Sequence, residues 1–313
     1  MVFDTAPALT LTEGLASTHR MIVGDRLRLP LDHGLSQRVS GSTAPLASPA
    51  LVWDVAIGQS TLATHHVKAN LFYRGLQFHR HARIGDTLHT RAEVVGLRQN
   101  ADRADRAPTG LAALRVTCFD QRDDVVLDFY RCAMLPLGPA PDPSRAIPDQ
   151  DLSSIGPSTP PAWSAPAGWD LTPLRGRGST PGVKLVGKQF AVSGDVVSSA
   201  PELARLSLNV AAVHHDERAS GSRLVYGGHT IGIALGQATR AFPDMVTVLG
   251  WQSCDHTGPV AEGDTLTSLI EVVDAVPLPE GTALHLRSLV SAFAGPDSAP
   301  RPVLDWRFVA LIA

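Results

Sequence analysis

Two short motifs near residue 210 contain the residue types that are best suited to chemistry. The first places Asn209, His214 and Asp216 within one short segment, and the second is the glycine doublet Gly227-Gly228, which precedes an apolar run of helical character. Backbone N–H groups in the first turn of a helix have no partner within the helix, so they can bind an anion. A histidine beside such donors suits proton transfer, because its unperturbed pKa lies near neutrality. The pattern therefore predicts an active site.

Each motif also has a plain structural interpretation. A His-His-Asp run is commonly a solvated loop, and the doublet Gly227-Gly228 would equally suit a tight turn into a packed helix. His229 is better interpreted as a structural neighbour of the doublet than as a base. The histidines at 65–66 and 79–81 are of a metal-ligating type, but no third ligand has suitable spacing. We therefore predict neither a metal site nor a cofactor.

Length and composition restrict the class of protein. A chain of 313 residues with 44% hydrophobic residues suits two domains of ordinary size. The net charge of −3 gives no reason to expect a nucleic acid partner. Three widely spaced cysteines form no disulfide framework, which fits a reducing compartment. With no signal peptide and no run of ~20 apolar residues, we expect a cytoplasmic protein without a membrane partner.

The elements that must position these motifs fall into two similar halves. In the first half, Ser48 and Pro49 start an apolar helix, which is followed by β-rich runs as far as Leu135. In the second, the doublet opens a helix to about Phe242, and four further β-rich runs follow. Met21–Leu31 has the apolar character of a strand. Nine prolines in residues 136–166 predict an extended linker between the halves, so the expected domains are 1–135 and 167–313.

The two halves match each other in sequence. A shift of 178 places residues 57–96 on residues 235–274 with 12 identities in 40 positions, among them the turn Gly85-Asp86-Thr87-Leu88. Such a long shared register predicts an internal duplication. The same shift carries Asn209 to Leu31 and His214 to Ser36. One site per chain is therefore expected, with the first half shaping its pocket.

These residues resemble the MaoC-like (R)-specific enoyl-CoA hydratases. That family's pattern is Asp-x-Asn-Pro-Ile-His-x-Asp, followed by a loop and a His-Gly pair that opens the central helix. In this chain the histidine falls on His214, the final aspartate on Asp216 and the helix-opening glycine on Gly228. The leading aspartate is replaced by Asn209, and the Asn-Pro pair by Ala211-Ala212. The resemblance spans nearly the whole chain and is nearest to the mesaconyl-CoA (2-methylfumaryl-CoA) hydratase branch.

The resemblance implies an α+β fold, the double hotdog, in which each of two repeats wraps an antiparallel sheet around a central helix. One chain would then be a pseudo-dimer, and a homodimer of chains is compatible with it. The implied activity is hydration or dehydration of a short 2-enoyl-CoA thioester, branched or carboxylated, with acyl-CoA as the partner. The implied catalytic residues are His214, Asn209 and Gly228. The implied substrate-binding residues are Asp216, Tyr226, Gly227 and His229.

Hydration of an enoyl thioester requires a base for water, a proton for the α-carbon and donors for the enolate oxygen. His214 suits the first two roles, and the Gly228 N–H suits the third. The Asn209 amide can hold a water molecule but cannot take up a proton as a carboxylate does. Two alternatives remain open at this stage. One is a thioesterase on the same fold, and the other is a catalytically degenerate acyl-CoA-binding protein, which the loss of the carboxylate at Asn209 would favour.

Overall fold

The computed structural model describes residues 1–101, 107–138, 147–159, 161–175, 182–222 and 224–313. Part of the predicted linker, residues 139–146 and 160, lies outside the described residues. The helices are α1 (Glu13–Val23), α2 (Arg28–Leu31), α3 (His33–Ser40), α4 (Pro49–Ser60), α5 (Ala200–Leu206) and α6 (Gly227–Ala241). The strands are β1 (Val2–Phe3), β2 (Leu9–Thr10), β3 (Ala69–Phe78), β4 (Thr87–Gln99), β5 (Thr109–Phe119), β6 (Val125–Pro136), β7 (Gln189–Val196), β8 (Met245–His256), β9 (Thr265–Pro277), β10 (Thr282–Phe293) and β11 (Arg301–Ile312).

The strands form one antiparallel sheet in the order β1-β4-β5-β6-β3-β8-β11-β10-β9-β7, and β2 pairs with β4 off this path. The first half of the chain supplies β1 to β6, the second half supplies β7 to β11, and the halves join where β3 pairs with β8. In that junction Tyr73 lies opposite Cys254. Fusion at this edge leaves neither half with an unpaired strand in the middle of the molecule.

Each half wraps its strands around one apolar helix. Every residue of α4 is buried, and the buried face of α6 extends from Gly228 to Thr239. Trp53 of α4 packs edge-on against Trp251 at 4.9 Å between ring centroids and against Trp306 at 6.1 Å. A helix that is apolar on all sides must lie inside a protein, and the curved sheet provides that interior. This architecture, two helices each wrapped by an antiparallel sheet, confirms the predicted α+β double hotdog.

Beyond Pro136, the last residue of β6, the described parts of the proline-rich segment contain no helix or strand. Leu152 is buried against Ala113 and Cys132, and Trp163 packs beside a second cluster that includes Trp169. This segment therefore contributes apolar contacts of its own to the outer side of the sheet. Among the described residues, no helix is long and apolar enough to cross a bilayer. No three His, Cys, Asp or Glu side chains in the same part of the chain come together as metal ligands would.

The strand predicted at Met21–Leu31 is wrong. The helix α1 continues to Val23 and ends at Gly24, whose φ of 71° is the left-handed conformation of a helix C-cap. The apolar residues that gave the segment its strand character are buried at helical spacing and in the turn that follows, with Ile22 and Leu27 in the main core. A glycine C-cap inside an apolar run was the signal of the helix end.

The two central helices cross the ends of α1 and α5 at matching glycines. A Cβ added to Gly58 of α4 would lie 1.8 Å from the backbone oxygen of Ser207, at the end of α5. A Cβ added to Gly236 of α6 would lie 2.8 Å from the backbone oxygen of Gly24, at the end of α1. Each helix therefore packs on the backbone that follows a short helix of the other half.

This packing shows that the fixed shift of 178 between the halves does not hold for the segments before the central helices. Gly24 and Leu208 both have a left-handed φ, at 71° and 60°, so the residue after each is equivalent. Asp25 accepts a hydrogen bond from the Leu27 N–H at 2.9 Å, and Asn209 accepts one from the Ala211 N–H at 2.9 Å. The first-half counterpart of Asn209 is therefore Asp25 and not Leu31. The prediction failed because the segment that contains α2 and α3 makes the first half longer at this point.

Candidate active site

A cavity of about 300 Å³ lies between the two halves. Its walls contain residues of the first half, Ile57, Thr61, Tyr73 and Arg131, and residues of the second half, Asn209, His214, Tyr226, Gly227 and His256. Lys68 is exposed and lies on the same lining. Four of the seven residues singled out in the sequence thus line one cavity: Asn209, His214, Tyr226 and Gly227.

His214 reaches the cavity from the end of a short 3₁₀ helix, Ala212–His214. Its Nδ1 lies 3.0 Å from the carbonyl oxygen of Leu224. A carbonyl oxygen can only accept, so Nδ1 carries the proton and the lone pair is on Nε2. Burial lowers the pKa of His214 to about 4, although the bond to Leu224 acts in the opposite direction. His214 is therefore a neutral base at pH 7.

The side-chain amide of Asn209 is hydrogen-bonded through its oxygen, whereas its nitrogen has no partner among the described residues. Its Oδ1 accepts from the Ala211 N–H at 2.9 Å, and its carbonyl oxygen lies 2.6 Å from Nε2 of His215. Its Nδ2 is buried and has no hydrogen-bond partner among the described residues. The amide is thus fixed in an orientation that presents a donor, and never an acceptor, to the neighbouring space.

The N-terminus of α6 forms a further wall of the cavity. Gly227 lines it, and a Cβ there would lie 2.6 Å from Nε2 of His256. Gly228 lies behind it, where a Cβ would meet Asp54 Oδ1 at 2.1 Å. The N–H groups of Gly227 and Gly228 have no acceptor among the described residues. Both glycines are therefore required by close packing, and the first turn of the helix has free donors.

Behind this wall the hydroxyl of Tyr226 donates to Asp54 Oδ1 at 3.0 Å, and Asp54 Oδ2 lies 2.8 Å from Nε2 of His19. Burial raises the pKa of Asp54. The ring of Tyr226 thus faces the cavity while its hydroxyl is fixed in a buried polar cluster. The ring of His214 packs edge-on against Tyr226 at 5.8 Å between centroids.

Three of the expected site residues lie away from the cavity lining. Asp216 caps a 3₁₀ helix through the Arg218 N–H and pairs with the Arg218 guanidinium at 2.7 Å on the surface. His229 is fully buried, and neither ring nitrogen has a partner among the described residues. Gly228 is the third, although its N–H is in the same helix turn as Gly227. The structure thus gives Asp216 a capping contact and His229 a packing position.

Sequence reasoning missed two residues of the cavity, His256 and Arg131. His256 ends β8, its Nε2 is buried without a partner among the described residues, and burial lowers its pKa to about 4. Arg131 is a buried cation on β6. A signal for Arg131 was present, since it interrupts a β-rich apolar run at an inward position. His256 had no such signal, because a polar residue at a strand end is ordinarily exposed.

Four histidines with depressed pKa values make the fold sensitive to acid. His81, His214, His229 and His256 are buried or half-buried, and burial lowers the pKa of each to about 4. Below an unfolded pKa of ~6.5 the unfolded chain binds protons that the folded chain does not, so stability falls as the pH drops from ~6.5 to ~4. Each histidine contributes at most ~3 kcal/mol to that loss.

Urea unfolding at pH 7.5, 6 and 5 measures the effect. The His229→Leu variant removes one of these four histidines, one that lies outside the cavity. It is expected to show a shallower pH dependence of stability than the natural chain. An equal free energy of unfolding at pH 7.5 and pH 5 would contradict the burial of these histidines in the neutral form.

No protein-family model matches the chain. Among characterised proteins, a β-methylmalyl-CoA dehydratase of Chloroflexus aurantiacus is 29% identical, covering 90% of this chain and 83% of its relative. A mesaconyl-CoA hydratase of Cereibacter sphaeroides is 28% identical, covering 78% of this chain and 74% of its relative.

Solved structures extend the similarity. A Mycobacterium tuberculosis protein described as having a double hotdog fold is 56% identical, with a TM-score of 0.94 over 99% of this chain and 95% of the other. A MaoC domain protein of Chloroflexus aurantiacus is 26% identical, with a TM-score of 0.82 over 100% of this chain and 94% of the other. The chain is therefore a double-hotdog protein that is similar in sequence to a MaoC domain dehydratase and to hydratases and dehydratases of CoA thioesters.

Proposed function

We propose that this protein adds water reversibly to the double bond of a short 2-enoyl-CoA thioester. The observation that carries the proposal is His214, whose hydrogen bond to Leu224 leaves a lone pair on Nε2 at a cavity closed by the N-terminus of α6. The named relatives, a β-methylmalyl-CoA dehydratase and a mesaconyl-CoA hydratase, support the same class of reaction and of substrate.

In the hydration direction, His214 Nε2 removes a proton from water while the water oxygen bonds to the β-carbon. The electron pair of the double bond moves toward the thioester, which becomes an enolate. A proton is then delivered to the α-carbon, so that H and OH have been added and the base is regenerated. A neutral imidazole is the form that this first step needs, and His214 is neutral at pH 7.

The enolate oxygen is stabilised by the free N–H groups of Gly227 and Gly228 at the first turn of α6. Removal of one donor of this kind commonly costs about 3–4 kcal/mol in the activation barrier. The space that a Cβ of Gly227 would take is filled by the ring of His256, so this glycine contributes through its N–H. Gly228 itself is packed against Asp54, so it contributes through its N–H and not through open space.

The α-carbon proton has two candidate sources. His214 holds the proton taken from water and can deliver it directly, or the neutral His256, whose Nε2 lies beside Gly227 without a partner among the described residues, can accept that proton from His214 and pass it on. His214 is neutral again in both cases. Asn209 does not supply this proton, but its free Nδ2 is oriented to donate a hydrogen bond to the oxygen of the attacking water. The imidazole of His256 thus replaces, as a proton-transfer group, the carboxylate that the family has at the position of Asn209.

The assay follows the absorbance of the conjugated thioester after the protein is mixed with mesaconyl-CoA or crotonyl-CoA. We expect loss of absorbance with at least one of the two and no release of free thiol. Release of thiol with the double bond intact would identify a thioesterase instead. Tight binding without turnover of either ester would leave the acyl-CoA-binding alternative and overturn the proposed reaction.

A further inference from the structure

One cation is buried in the wall of the cavity, and no described carboxylate is paired with it. Arg131 is 2% exposed. Burial lowers the pKa of Arg131, and the groups that act against this are the hydroxyl of Tyr73, which also accepts a hydrogen bond from it, the hydroxyl of Tyr226 and the thiol of Cys132. All three are neutral at pH 7, because burial raises their pKa values. The described carboxylates thus provide no counterion for it. An unpaired buried charge is strongly unfavourable, so its retention at a cavity indicates that an anion binds there.

The guanidinium is anchored on one side and free on another. Its Nη2 donates to the carbonyl oxygen of Ser60 at 3.3 Å and to the hydroxyl of Thr64. Its Nε is buried and has no partner among the described residues. An arginine held in this way has a fixed plane and unused donors, which is the arrangement that recognises a carboxylate.

The position of Arg131 is at the reacting end of the cavity. Arg131 on β6 lies opposite Tyr73 on β3, whose ring lies 5.8 Å from the ring of His256. Its charge also contributes to the lowered pKa of His214, so the guanidinium and this imidazole are near each other. A group bound by Arg131 is therefore close to the carbons that would react.

We propose that Arg131 binds a free carboxylate on the acyl group, so that the preferred substrate is the monothioester of an unsaturated dicarboxylic acid. This inference rests on the proposed function. Mesaconyl-CoA, after which one relative is named, has this chemistry. The carboxylate replaces the missing counterion, and the fixed guanidinium orients the double bond against His214.

A phosphate of CoA is a poorer candidate for this site. The nucleotide part of CoA is bulky and must remain at the mouth of a cavity of about 300 Å³. Lys68 is exposed on the cavity lining and is available to a phosphate, whereas Arg131 is almost inaccessible to solvent. Only a small anion carried inward by the acyl chain reaches it.

The test compares two saturated CoA esters that cannot be hydrated, methylsuccinyl-CoA and 2-methylbutyryl-CoA, which differ by a carboxylate in place of a methyl group. Calorimetry with the natural chain is expected to give about 10- to 100-fold tighter binding of the carboxylated ester, as a charge-assisted hydrogen-bonded pair provides. Arg131→Met is expected to abolish this preference, and Arg131→Lys, which keeps the charge but not the fork, to reduce it at least about fivefold. Arg287→Met, which removes a surface arginine paired with Asp305, is the matched control and should leave the preference unchanged.

Turnover distinguishes this inference from the proposed function. With mesaconyl-CoA and its neutral counterpart tiglyl-CoA, Arg131→Met should lower kcat/KM for the carboxylated ester alone. Equal losses for both esters, or a natural chain that binds both saturated esters equally, would overturn the carboxylate site. A carboxylate preference in binding without any turnover would uphold the site and reject the hydratase.

Discussion

Replacing His214 with alanine is expected to lower kcat for hydration by about 10²- to 10⁴-fold, the contribution of a well-placed general acid–base group. The side chain has a fixed tautomer because Nδ1 is bonded to Leu224, so no other orientation of the ring substitutes for it. Since His214 lines the cavity and is half-buried, the variant should fold. Steady-state assays with mesaconyl-CoA, together with an unfolding curve, separate the two effects.

The pH profile gives a second test of the same group. With the pKa of His214 lowered to about 4, kcat/KM should remain level from pH 8 to about 5 and fall only as the pH approaches 4. A half-maximal rate near pH 6.5 would contradict the burial of a neutral imidazole. Initial rates recorded within seconds of acidification separate this titration from the slower acid unfolding.

His33→Ala is the matched control, because it removes an exposed histidine on α3 that contacts Glu13 at 3.5 Å. It should leave kcat unchanged. His256→Ala then assigns the α-carbon proton. A loss as large as that in His214→Ala would mean that both imidazoles act in one turnover, whereas a small loss would leave both proton transfers to His214.

The fold was predictable because the two halves share residues at the positions where close packing or backbone conformation is most restrictive. Gly58 and Gly236 match because both must pack on a backbone, and the turns at Gly85 and Gly263 match because both have a left-handed φ, at 98° and 95°. The segments before the central helices carry no such constraint. They differ in length, which is why a fixed shift misplaced the counterpart of Asn209.

The position in the first half that corresponds to the site differs from it in several groups. Asp25 has the carboxylate that Asn209 lacks, but it is hydrogen-bonded to Ser48 and to the Leu27 N–H. Pro49 and Ala50 occupy the helix start where the second half has its glycine doublet, and proline has no N–H to donate. The two halves have thus kept different parts of the motif, and the second supplies the imidazoles of His214 and His256 to the cavity between them.

The site was predictable only where one segment carries it. Asn209 and His214 are close in sequence and could be recognised together. Arg131 and His256 reach the cavity from β6 and β8, which flank β3 on its two sides, and β8 becomes a neighbour of β3 only when the halves join. The inward position of Arg131 in an apolar run marks it as buried, but its place beside His214 depends on strand order, which no local pattern contains.

Gly58→Ala is expected to destabilise the protein by at least about 3 kcal/mol, the upper part of the range for overpacking. The added Cβ would lie 1.8 Å from the Ser207 oxygen and 3.1 Å from the Asn209 nitrogen. Backbone atoms cannot rotate away as a side chain can, so α4 and the segment from Ser207 to Asn209 must move apart. Chemical denaturation measures the first consequence.

Activity should reveal the second consequence. A shift of ~1 Å in a group that positions a reactant can cost ~10²-fold in rate, so folded Gly58→Ala protein should have a kcat about that much lower than the natural chain. Gly14→Ala is the matched control, because Gly14 is also helical but a Cβ there would meet only Thr12 Oγ1 at 4.0 Å. Helix propensity should make that control up to about 1 kcal/mol more stable. If Gly58→Ala were equally stable and active, the contact between α4 and Ser207 could not be what holds Asn209 at the cavity.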